Sequence, residues 1–118
     1  FLDYIPDTEL PLLYSAATLL VHPSLYEGFG LTPLEAMACG TPVVYADTSS
    51  LTEHLGETAL AVAPASVESL TDGIQQMLQD RTLREFYSQK GLHHIQHYSW
   101  ETVALTMLHL YEQFTHNP

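Results

Sequence analysis

Short apolar runs alternate along this chain with longer stretches in which apolar residues recur at helical spacing. The run Thr18-Leu19-Leu20-Val21 lacks the in-out alternation of a half-exposed strand, so it predicts a buried parallel strand over 18–22. Similar runs predict strands at 42–46 and 59–63, and a short strand near 1–5 opens the chain. Between them the pattern predicts a helix from Asp7 or Thr8 to Ala17, another over 32–39 and a short one near 49–55. Helices near 66–79, 81–90 and 99–115 complete the order, the last with one apolar stripe of Val103, Met107, Leu110, Tyr111 and Phe114. Strands alternating with helices imply an α/β fold: a Rossmann-like parallel sheet flanked by helices.

Punctuation residues sharpen this order around its most unusual segment. Pro23 and Ser24 close the strand at 18–22, and Gly28 and Gly30 bracket Phe29 in a loop that must turn sharply. Thr32 suits the N-cap of the next helix, Pro33 its first position, and Gly40-Thr41-Pro42 its end. In open α/β sheets ligands bind beyond the carboxyl ends of the strands, which is where this loop lies. Further on, Ser66 with Glu68, Thr82 with Glu85, and Ser99 with Glu101 place caps and acids at helix starts, and Gly91 reads as an interruption of the helical run.

Composition narrows the chemistry. One hundred and eighteen residues, 46% of them hydrophobic, suit one domain with a real core. No stretch is long and apolar enough to span a membrane, and no signal-peptide pattern opens the chain, so a cytoplasmic setting is expected. The lone cysteine, Cys39, reads as a buried filler that provides no disulfide framework. Net charge is −11 and residues 1–80 contain no lysine or arginine, which argues against nucleic acid as a partner. Among the seven histidines, His93, His94 and His97 lack a ligand motif such as His-Glu-x-x-His and read as exposed helix residues, so no metal is expected.

The block Glu27-Gly28-Phe29-Gly30-Leu31-Thr32-Pro33-Leu34-Glu35-Ala36-Met37-Ala38-Cys39-Gly40-Thr41-Pro42-Val43-Val44 resembles the signature of family 4 glycosyltransferases of the GT-B type. Looser similarity runs through Phe1 to Asp7, Leu13 to Ala17, Ser50 to Glu53 and Tyr98 to Trp100, so the resemblance spans nearly the whole chain. It implies the later part of the C-terminal, nucleotide-sugar-binding domain, with residues 1–118 as one partial domain and 99–115 as its C-terminal helix. By the same resemblance, Glu35 accepts from the nucleotide ribose hydroxyls, and Glu27, the catalytic candidate, contacts a hydroxyl of the donor sugar. Gly28, Phe29 and Gly30 face that sugar, Gly30, Leu31 and Thr32 the diphosphate, and Tyr4 and Ile5 the base. The implied reaction moves a sugar from a nucleoside diphosphate to an acceptor hydroxyl with retention of configuration and without a cofactor.

Elementary chemistry supports these roles while leaving others open. Free N–H groups and the dipole at a helix N-terminus suit a diphosphate. A carboxylate suits a ribose cis-diol, with hydrogen bonds to a charged group worth roughly 1.5–3 kcal/mol. Against this, Thr32 to Glu35 also fits a capping box, Glu27 a solvated loop acid, and Phe29 a core plug. His22 fits either a substrate contact or a structural histidine; Glu53 matches, by the resemblance, a position near the sugar side of the cleft, and equally fits a cap with Ser50. A non-catalytic nucleotide-sugar-binding or interaction module remains a second reading of the whole. A third, a glycoside hydrolase using Glu27 and Glu35, requires carboxyl groups about 5–5.5 Å apart and has no supporting hydrolase pattern.

The chain opens within what reads as a strand, and the cations that the family brings to its diphosphate from an earlier stretch are absent, so a fragment, inactive by itself, is expected. The acceptor glycan, lipid or small molecule would then be met through a missing N-terminal domain, with peripheral membrane association of the intact parent as one setting. In the fragment, part of the last helix's apolar stripe is expected to be exposed and to favour self-association.

Overall fold

The structure, a computed structural model, describes residues 2–115. Its elements run α1 (Leu10–Ala16), β1 (Leu20–His22), α2 (Leu31–Ala38), β2 (Val43–Ala46), α3 (Ser49–Leu55), a 3₁₀ turn (Gly56–Thr58), β3 (Leu60–Val62), α4 (Val67–Gln79), α5 (Arg81–Ile95) and α6 (Trp100–Thr115). The three strands form a parallel sheet in the order β1-β2-β3, with Leu20 opposite Val43 and Val44 opposite Leu60. This is the Rossmann-like α/β arrangement that the alternation of apolar runs predicts.

The central strand explains the layering. All four residues of β2 are buried, and successive side chains point to opposite faces. Val43 and Tyr45 join Leu34, Met37, Leu51 and Leu55 in one core, whereas Val44 joins Val62 and Met77 in the other. Helices α2 and α3 thus cover one face of the sheet and α4 the other. Buried Tyr45 satisfies its hydroxyl by donating to the carbonyl of Gly56 at 3.2 Å.

Several local expectations are corrected. Residues 2–5 form no strand, because no described neighbour pairs with them and Pro6 has no N–H to continue a ladder; Phe1 lies outside the described residues. The cap of α5 is Asp80, which accepts from the N–H of Leu83 at 3.0 Å, and not Thr82. Helix α3 starts from Thr48 without a side-chain cap, so Ser50 and Glu53 form no capping box. Ser66 does cap α4, and Ser99 accepts from the N–H of Thr102 at 3.0 Å at the start of α6.

Gly91 does not break α5, which continues to Ile95. A Cβ at this position would lie 2.9 Å from Met37 Cγ, so its absence is what lets α5 lie against α2. Close helix packing here outweighs glycine's low helix propensity. Beyond α5, helix α6 leaves its large apolar residues exposed: all five stripe residues, where the sequence predicts exposure of part of the stripe, and Trp100 outside it.

Candidate functional site

The loop between β1 and α2 carries the motif residues, and its conformation follows from a few fixed points. His22 is the last residue of β1, in register with Tyr45. Ser24 Oγ donates to the carbonyl of Tyr26 at 3.1 Å and closes a small turn. Phe29 then seats its ring 4.2 Å from the ring of His54 and 6.1 Å, edge-on, from that of Tyr98. His54 is itself held, since His94 Nε2 donates to its carbonyl at 2.7 Å. Phe29 is still half-exposed, so it anchors the loop and also presents a face to the groove beside it.

Gly30 turns the chain into α2 with φ of 84° and ψ of 57°, a left-handed conformation. The helix therefore begins at Leu31, two residues earlier than the Thr-Pro pattern predicts, and no side chain caps it. Thr32 and Pro33 fall within its first turn, where the N–H that proline lacks has no intrahelical acceptor in any case. No acidic residue lies in that turn.

Glu35 makes no capping box. Its Oε2 accepts instead from the hydroxyl of Tyr14 on α1, at 3.0 Å, and Oε1 has no protein donor among the described residues. Glu27 is arranged alike: His22 Nε2 donates to its Oε1 at 3.0 Å, and Oε2 is left without a protein donor among the described residues. Each carboxylate is thus fixed through one oxygen by a neutral-capable aromatic donor and offers the other.

Burial raises the Tyr14 hydroxyl above its ordinary pKa, helped by its hydrogen bond to Glu35 and that carboxylate's charge. A raised folded-state value favours the protonated form. The stabilisation is therefore complete below the unfolded pKa of about 10 and lost as pH rises through the folded value. Melting temperature should fall above about pH 10, and fall less steeply in Tyr14→Phe, which differential scanning fluorimetry across pH 8–12 would test.

Beside α2 a groove of about 570 Å³ is lined by Phe29, Leu31, Leu34, Glu35, Tyr98 and Val103, among others. Gly28, Phe29, Gly30, Leu31 and Thr32 are gathered into the loop and helix start, with Glu27 and Glu35 on either side in sequence. Tyr4 and Ile5 are not joined to them: Tyr4 is 85% exposed, and neither has a hydrogen bond or ring contact to the loop. Glu53 is exposed on α3. Tyr14, His54 and Tyr98 support the site without having been assigned roles from sequence, because their contacts span 21, 25 and 69 residues.

All three basic side chains lie on α5 and are engaged elsewhere. Arg81 pairs with Glu85 at 2.7 Å, and Arg84 donates to the carbonyls of Met77 and Leu78 at the end of α4. Lys90 sits 3.9 Å from Glu57 and over the ring of Phe86. None of these three side chains is directed to the start of α2 by the contacts it makes.

Known proteins share this sequence pattern and fold. A family profile described as "Glycosyl transferases group 1" matches residues 1–94. O-antigen chain mannosyltransferase B of Escherichia coli is 43% identical over 112 residues, 95% of this chain and 29% of its own length. Sucrose-phosphate synthase from Thermosynechococcus elongatus superposes with a TM-score of 0.88 at 38% identity, covering 98% of this chain and 30% of its own. The C-terminal domain of a glycosyl transferase group 1 protein (LpcC) from Francisella tularensis gives 0.72 at 30% identity, over 81% of this chain and 51% of that one. The chain thus spans less than a third of the length of the first of these relatives.

Proposed function

The chain belongs to the group 1 glycosyl transferases, and from that premise we propose that it is the donor-binding portion of a retaining glycosyltransferase that uses a nucleoside diphosphate sugar. The observation that carries this reading is the pair of carboxylates, Glu27 and Glu35, each held through one oxygen, which precede and follow in sequence a helix start that no side chain caps. Glu35 would take the ribose hydroxyls and Glu27 a hydroxyl of the donor sugar. Gly28, Phe29 and Gly30 would border the sugar, and the amides of Gly30, Leu31 and Thr32 would receive the diphosphate.

The reaction this implies breaks the bond between the anomeric carbon and the diphosphate while an acceptor hydroxyl bonds to the same carbon from the same face and gives its proton to the departing diphosphate. The leaving diphosphate gains negative charge, which the α2 amides stabilise more in the transition state than in the ground state. No metal is needed for that step if cations outside this segment share the charge. The acceptor, a glycan, lipid or small molecule, would be bound by another part of the enzyme. The turned-out apolar face of α6 would be covered there or in self-association, and the enzyme would work in the cytoplasm, at the membrane surface where the acceptor is a lipid.

Titrating the ¹⁵N-labelled chain with UDP, GDP and ADP tests the binding half of this proposal. Amide shifts should cluster from Phe29 to Glu35, and the base region at Tyr4 and Ile5 should respond with the preferred nucleotide. Glu35→Ala should weaken binding about tenfold, the loss of one hydrogen bond to a charged group. A well-dispersed spectrum that responds to none of the three nucleotides would refute a preformed nucleotide site in this segment.

A further inference from the structure

We propose that His22 is a positioning residue that holds the Glu27 carboxylate in its working orientation; the proposal rests on the transferase reading above. Three observations lead to it. His22 lies at the end of a strand whose register with β2 is fixed, and its side chain is only 17% exposed, so the ring has little freedom. Glu27 sits on the loop, 31% exposed, and His22 is its one side-chain partner among the described residues. The neighbouring Gly28 meets nothing within 4 Å of where a Cβ would be, so the loop has open space on that side into which an unheld Glu27 could swing.

The contact therefore runs from a paired strand to a stretch of loop with open space beside it. Nε2–H fixes Oε1 and leaves Oε2 without a protein donor among the described residues. A reacting group displaced by about 1 Å can cost on the order of a hundredfold in rate. The nucleotide, by contrast, would be anchored chiefly through Glu35 and the α2 amides, so loss of His22 should leave donor affinity largely intact.

The test uses the full-length transferase that carries this segment, comparing His22→Ala, His22→Asn and His22→Gln. Glutamine reaches as far as histidine and donates an N–H, whereas asparagine is too short. The expected result is a kcat reduced roughly 10- to 100-fold in His22→Ala and His22→Asn, with donor KM changed less than about threefold, and recovery to within about fivefold in His22→Gln. Should His22→Ala fail to fold, the asparagine and glutamine pair decides. Equal impairment of that pair, or turnover within twofold of the parent in His22→Ala, would overturn the proposal. A raised donor KM at unchanged kcat would overturn it too, by making His22 a substrate contact. Glu27→Gln serves as the reference: normal turnover there refutes the role given to Glu27, whereas an inactive Glu27→Gln beside an active His22→Ala refutes only the positioning role.

Discussion

Gly30→Ala is expected to destabilise the chain by about 2–5 kcal/mol, whereas Gly28→Ala, two residues away in the same motif, should cost less than about 1 kcal/mol. Two effects add at Gly30. Its φ of 84° is a left-handed conformation that costs an L-residue roughly 1–2 kcal/mol. A Cβ there would also lie 2.6 Å from Leu51 Cδ2, the end of a fully buried side chain of α3 that would have to shift, and such overpacking typically costs about 1–3 kcal/mol. Gly28 has neither problem. Urea unfolding of the two variants measures the difference directly, and equal midpoints would show that the loop is not locked against α3. Adding Leu51→Ala to Gly30→Ala should cost less than the two single changes summed, because the truncated side chain no longer opposes the new methyl.

That contrast shows where sequence reasoning reached and where it stopped. The parallel sheet and the helix order were legible because burial on both faces leaves unbroken apolar runs such as Val43 to Ala46, a purely local signal. Short helix α3 was legible for the same reason, with Leu51 and Leu55 spaced one turn apart on its buried side. What remained hidden was set by packing between distant segments. Gly30 and Gly28 look alike as letters, and only the approach of Leu51 separates them. Gly91 resembles a helix breaker until Met37 is seen against it. The Thr32 to Glu35 spacing suggests a capping box, but Tyr14 from a preceding helix supplies the Glu35 partner and Gly30 the helix start. The candidate carboxylates could be picked out by the motif around them. How they are held could not, since the donors Tyr14 and His22 become neighbours only when α1 and β1 are placed beside α2 and its loop.

One of those donors holds the residue with the largest functional expectation: Glu27→Ala in the transferase that carries this segment should lower kcat/KM by about a hundredfold or more. A hydrogen bond from a sugar hydroxyl to a charged carboxylate accounts for roughly 1.5–3 kcal/mol, or about 10- to 150-fold. A further contribution arises as the bond to the diphosphate breaks, because the sugar then gains positive charge and a fixed carboxylate attracts it more strongly in the transition state than before. The loss should therefore fall on kcat more than on KM. Glu27→Gln keeps the shape and one acceptor oxygen but removes the charge, so its share of the loss measures the electrostatic part. Stability should change by less than about 1.5 kcal/mol, since Glu27 is partly exposed and its removal leaves just one half-buried ring, His22, without its acceptor. Steady-state kinetics with saturating acceptor, paired with a urea midpoint for each variant, separates the two effects. A folded Glu27→Ala enzyme with near-normal turnover would remove Glu27 from the chemistry and leave donor binding as the whole task of this loop.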